Sequence, residues 1–80
     1  MGKRPFISLY NGDKRVTQKT FTDYREAQKS ARKILLQGDD KHGKIDYIYV
    51  TRFKRGEWGE WYERWELCDG KPKIIRQGWM

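Results

Sequence analysis

Eighty residues hold one domain and too little core for a two-domain enzyme with a deep cleft. Hydrophobic and charged residues each make up 36% of the chain, a balance that favours disorder but for four Trp, five Tyr and three Phe, whose large side chains must carry the core. Eighteen Lys and Arg against eleven Asp and Glu give a formal charge of +7, which favours polyanionic partners and excludes a mimic of nucleic acid.

The start, "MGKRPFISLY", is basic, but its apolar stretch is too short and too polar for a signal peptide or a membrane span. Met1-Gly2 opens like a myristoylation pattern, yet Phe6 stands where that pattern wants Ser or Thr. Cys68 is the only cysteine, so no internal disulfide can form, and the expectation is a soluble protein of the reducing cytoplasm with no membrane partner.

"PFISLY" (5–10) alternates, with Ile7 and Leu9 on one side and Phe6, Ser8 and Tyr10 on the other, as a half-buried strand does. Asn11-Gly12 accepts positive φ at both central positions of a tight turn, so "RVTQKTF" (15–21) is expected to return antiparallel. Residues 22–38 read as a helix with Thr22 or Asp23 as N-cap, Glu26 placed for a capping box, and Gly38 as the stop. Tyr24, Ala27, Ala31, Ile34 and Leu35 share one face of it, and Arg25, Lys29, Arg32 and Lys33 another.

"DDKHGK" (39–44) reads as a polar loop, and the β-branched and aromatic run "IDYIYVTRF" (45–53) as the central strand. The segment after it is ambiguous: Trp58, Trp61, Tyr62 and Trp65 stand at helical spacing, whereas a strand over 61–68 puts Trp61, Glu63, Trp65 and Leu67 on one face. Gly56 and Gly59 before it and Asp69-Gly70 after it supply turns and favour the strand. "KPKIIRQGW" (71–79) gives a last strand with Pro72 at its entrance.

The chain thus reads as one α+β domain over 1–80, in the order β-β-α-β-β-β, a mainly antiparallel sheet with one helix on one face. If Ile7, Leu9, Val16, Ile48 and Val50 meet the helix, the far face is expected to carry Phe6, Tyr10, Tyr47, Tyr49 and Phe53 together with Trp61 and Trp65. That face is then either exposed or curled into a second core.

Catalytic signatures are missing. One histidine, His42 in the polar segment, and one cysteine cannot build a usual metal site or a Ser-His-Asp or Cys-His set, and "GDDKHGK" lacks P-loop spacing. Glu57, Glu60, Glu63 and Glu66 recur every third residue, the pattern of a solvated edge more often than an acid-base pair. No enzyme activity, metal or cofactor is expected. Residues 3–33 carry Lys3, Arg4, Lys14, Arg15, Lys19, Arg25, Lys29, Arg32 and Lys33 against Asp13, Asp23 and Glu26, and Arg52, Lys54 and Arg55 extend the excess. Such density suits phosphate contact, with nearby aromatics able to stack on bases. The acidic tryptophan segment repels phosphate and fits either packing or a protein partner.

Residues 6–35, "FISLYNGDKRVTQKTFTDYREAQKSARKIL", resemble the arm-type DNA-binding domains of phage integrases through Lys19, Thr20, Phe21, Glu26 and Ala27, although there the helix follows three strands and here two. The order of elements, with "FTDYREAQKSARKI", "HGKIDYIYVTRF", a tryptophan strand and "CDGK", is similar to small phage anti-CRISPR proteins that block RNA-guided surveillance complexes. That resemblance implies a non-catalytic inhibitor of a host CRISPR or other nucleoprotein complex, acting by steric occupation in the host cytoplasm. The expected binding residues are Lys14, Arg15, Lys19, Arg25, Lys29, Arg32, Lys33, Tyr47, Tyr49, Arg52, Trp61 and Trp65. The alternative is a sequence-tolerant accessory protein that binds DNA or RNA directly through the same helix and hairpin.

Overall fold

A computed structural model describes residues 4–53 and 59–79. Met1, Gly2, Lys3, Lys54, Arg55, Gly56, Glu57 and Trp58, which the sequence reading also used, lie outside them. The described residues form seven strands and one helix, in order β1 (Phe6–Asn11), β2 (Lys14–Thr20), α1 (Tyr24–Gln37), β3 (Asp39–Asp40), β4 (Gly43–Lys44), β5 (Tyr47–Phe53), β6 (Glu60–Cys68) and β7 (Lys71–Trp79). Five of the strands form one antiparallel sheet in the order β2-β1-β5-β6-β7, with the β-branched β5 at its centre, and α1 packs across one face. This is the expected α+β layout, and the tryptophan segment is a strand.

Local chemistry explains the boundaries. Asp23 is the N-cap: its carboxylate accepts from the Arg25 N–H at 3.1 Å, and Gly38 closes the helix in the left-handed region at φ 83° with its N–H donating to the Ile34 carbonyl. The first hairpin turns one residue later than Asn11-Gly12 suggested. Asn11 pairs with Lys14, so Gly12 and Asp13 are the central residues and only Gly12 has positive φ, the φ signature of a type II′ turn. Asp46 accepts from the Gly12 N–H and the Tyr47 hydroxyl donates to the Gly12 carbonyl, each at 2.8 Å, so both backbone groups of the glycine are held by the strand entrance across the sheet.

Residues 39–44, expected as a loop, instead form the short hairpin β3-β4. Asp40 organises it by accepting from Lys19 Nζ at 2.7 Å on β2 and contacting His42 Nδ1 at 2.9 Å, contacts that hold its carboxyl well below the usual carboxylate range.

The core lies between α1 and the sheet. Ile7, Leu9, Ile48 and Val50 meet Ala27, Ala31, Ile34 and Leu35, with Val16, Phe21 and Tyr24 packed at its margin. Trp61 and Trp65 were expected on the far face and are on this one. Trp65 stands opposite Ile48 and is only 4% exposed, while Trp61 stands opposite Arg52. Between them Glu63, expected on a solvated acidic edge with Glu60 and Glu66, is instead only 3% exposed, because it points to the helix side of the sheet.

Two β-bulges interrupt the ladders, one on each edge strand. Leu9 pairs with Thr17 and Tyr10 with Arg15, leaving Val16 as the extra residue of β2. Trp65 pairs with Ile74 and Arg64 with Arg76, leaving Ile75 as the extra residue of β7. A bulge resets the alternation, so residues three apart come to share a face. Arg15 and Gln18 do so on β2, and Lys73 and Arg76 on β7, all on the face away from the helix.

Candidate functional site

Among the described residues no helix covers the second face of the sheet, and it is paved with half-buried rings. Phe6 and Tyr10 come from β1, Tyr47, Tyr49 and Phe53 from β5, and Tyr62 from β6. Tyr10 stacks on Tyr47 at 5.0 Å between ring centroids with planes 4° apart, and Tyr49 meets both edge-on. Arg64 lies 3.9 Å over the Tyr47 ring from the neighbouring strand, fixed by its Nε donating to Glu66 at 2.8 Å. Tyr47 is therefore flanked by Tyr10 and Arg64, with its hydroxyl spent on the first turn. It is a structural pier.

Beside that pier is an open groove of about 550 Å³, within the range of small-molecule sites. Its rings are Phe6, Tyr10, Tyr49 and Tyr62, and its floor between them is Ser8 and Thr51, both small and buried. Small residues below large ones leave a recess. The Tyr62 ring is held at the β7 side over Gly78, where a Cβ would sit 3.7 Å from the ring. Arg15 and Gln18 from one edge strand and Arg76 from the other complete the lining, with Glu60. Gln18 accepts from Arg15 Nη1 at 3.1 Å, whereas Arg76 faces Arg64 across the ladder, a like-charge pairing that disfavours folding and favours an anion.

The helix offers the second surface. Arg25, Lys29, Arg32 and Lys33 are exposed along its outer side, and the stripe ends at Leu36, 62% exposed. Arg32 also lies 5.2 Å over the Trp65 ring, so it serves packing as well as charge.

Beneath the helix, Glu63 gathers a polar network. Gln28 Nε2 and Trp65 Nε1 donate to one oxygen at 3.1 Å each, Trp61 Nε1 donates to the other at 3.0 Å, and the Tyr24 hydroxyl donates to that second oxygen as well. Burial pushes the Glu63 carboxyl up, but four donors outweigh burial and hold it below its ordinary value. Burial, then the bond to Glu63, pushes the Tyr24 hydroxyl up to about 12. Arg52 lies 4.3 Å over the Tyr24 ring, with its Nε buried and without a hydrogen-bond partner among the described residues.

The expected binding residues thus separate into three places. Arg25, Lys29, Arg32 and Lys33 are outside the helix; Arg15, Tyr47 and Tyr49 are on the open sheet face, with Lys14 exposed at the hairpin; and Arg52, Trp61 and Trp65 are under the helix around Glu63. Lys19 is paired with Asp40. Sequence reasoning passed over Ser8, Gln18, Thr51, Tyr62 and Arg76 as site residues, and the bulges that bring Gln18 and Arg76 to the groove leave no local pattern. Tyr62 alternates with Trp61, and placing Trp61 and Trp65 on the far face put Tyr62 on the wrong side.

Among the described residues no helix is long and apolar enough to cross a membrane, and no group of three or more His, Cys, Asp or Glu could hold a metal ion. No protein-family model, curated protein or solved structure matches the chain.

Proposed function

We propose that this chain is a non-catalytic binding protein that occupies a nucleoprotein complex and blocks it sterically in the host cytoplasm, as small phage inhibitors of RNA-guided defence complexes do. The observation that carries the reading is the placement of two chemically distinct surfaces on opposite sides of one small body. The cations of α1 face away from the sheet, and the tyrosine and arginine side chains of the groove face away from the helix. The Cα trace measures only 35 × 23 × 22 Å. A short single strand of nucleic acid lies along one side at a time, whereas a cleft in a larger assembly contacts both. Tyrosine and arginine are the residue types that dominate protein hot spots, and the helix charge suits an acidic surface or bound nucleic acid. The order of elements, similar to that of anti-CRISPR proteins, supports the choice of target class.

The test is a mobility-shift assay of target DNA bound by a purified guide-RNA surveillance complex, with this protein added in increasing amounts. Inhibition near stoichiometry is expected. Lys29→Glu with Lys33→Glu should weaken it at least tenfold; these two are chosen because reversing Arg32 would also disturb its packing on Trp65. Failure to inhibit a panel of such complexes, by a protein that is folded, would overturn the reading.

A further inference from the structure

We infer that the groove on the open sheet face binds an unpaired nucleobase, with the phosphates on either side of it held by Arg15 and Arg76. This deepens the nucleoprotein reading and rests on it, giving one of the two surfaces a ligand class.

The shape of the recess comes first. Phe6, Tyr10, Tyr49 and Tyr62 stand around Ser8 and Thr51, so the space is bounded by ring walls and floored by hydroxyl-bearing residues. A planar heterocycle with polar edges fits both; an aliphatic side chain would leave the hydroxyls without a use. Tyr47 is ruled out as a platform, because Tyr10 and Arg64 flank its ring. Tyr62, whose ring lies 6.1 Å from Tyr49 and over Gly78 on β7, is a ring placed to stack on a base.

Charge then selects the ligand. Arg15 and Arg76 come from the two edge strands, and among the described residues the groove holds one carboxylate, Glu60, against them. A phosphate backbone is drawn along the arginines, and a base edge with an exocyclic amine is what suits Glu60. The bulges add a structural argument. In an unbulged ladder continued from the Trp65–Ile74 pair, Arg76 would stand opposite Glu63 on the helix face, and continued from the Tyr10–Arg15 pair, Gln18 would stand opposite Ile7 on that face; the extra Ile75 and Val16 bring both to the groove side. Bulges cost ladder hydrogen bonds and gather where a strand re-aims a side chain at a site. Here both of them deliver polar side chains to the same groove. Duplex is a poor occupant, since its bases are stacked and cannot enter a recess of this kind.

Fluorescence anisotropy of labelled twelve-residue oligonucleotides, single-stranded DNA, single-stranded RNA and duplex, tests the assignment on the intact protein. Single strands are expected to bind at least tenfold more tightly than duplex. Tyr62→Leu should weaken that binding roughly tenfold, and Arg76→Ala, on an exposed edge where folding does not depend on it, should reduce the slope of log affinity against log salt by about one. Equal binding of duplex and single strand, or single-strand binding that neither substitution alters, overturns the proposal. The same variants go into the inhibition assay. If they lose inhibition and no oligonucleotide binds, the occupant is a protein surface and the base site is wrong. Tight single-strand binding that both substitutions weaken, in a protein that inhibits nothing, supports the base site and overturns the nucleoprotein reading alone.

Discussion

Glu63 shows why an acidic, tryptophan-rich segment belongs inside a basic protein. Its carboxylate is the common acceptor for two indole N–H groups, an amide and a phenol, so the tryptophans are not a sticky patch but donors that must be satisfied when buried. Glu63→Gln keeps the shape and turns a donor against a ring of donors, and should cost about 1–3 kcal/mol, read as a fall in Tm with the far-ultraviolet spectrum of the fold unchanged. Because folding lowers the proton affinity of Glu63, its contribution is complete above the ordinary carboxylate range and is lost as the pH falls below that range; the variant should lack this part of the acid sensitivity. Tyr24 works in the other direction. Its proton is held in the fold, so its contribution is complete below pH 10 and lost as the pH rises through about 12. Ultraviolet titration should find a tyrosine ionising at about that pH, and Tyr24→Phe should remove that step.

At the level of elements the sequence is a good guide wherever the physics is local. The Asp23 cap, the Gly38 stop, the period-two strands and the Asp69-Gly70 turn, with φ of 54° and 78°, all follow from residue types at fixed offsets. Asp23→Ala should therefore destabilise the domain by about 1 kcal/mol in chemical denaturation, with the slope of the transition unchanged. What could not be read are the features set by distant partners. Residues 39–44 pair as a hairpin because Lys19 reaches Asp40 from another strand, and the first turn shifts because Asp46 and Tyr47 hold Gly12 from across the sheet. The groove is half legible for the same reason. Its rings alternate in the sequence, but the register slips at Val16 and Ile75 that add Gln18 and Arg76 exist only as pairings between strands.

For the whole molecule, the decisive property is that its two candidate surfaces share no residue and are separated by the helix-sheet core. Lys29 and Lys33 lie on the outer side of α1, and Arg76 lies on the far side of the sheet, so substitutions at the two places should alter stability additively to within about 0.5 kcal/mol. Binding need not behave the same way. If one assembly closes around the domain, each surface contributes to the same dissociation step, and Lys29→Glu with Lys33→Glu combined with Arg76→Ala should multiply the two separate losses of inhibition. If instead the helix and the groove serve different ligands, the combined variant will inhibit no worse than the weaker of its parents. Titrating the three proteins against one surveillance complex, at two salt concentrations so that screened charge is separated from buried contact, distinguishes these outcomes. Multiplied losses are expected, because a domain 22 Å thick with opposite faces chemically specialised is shaped to be held from both sides.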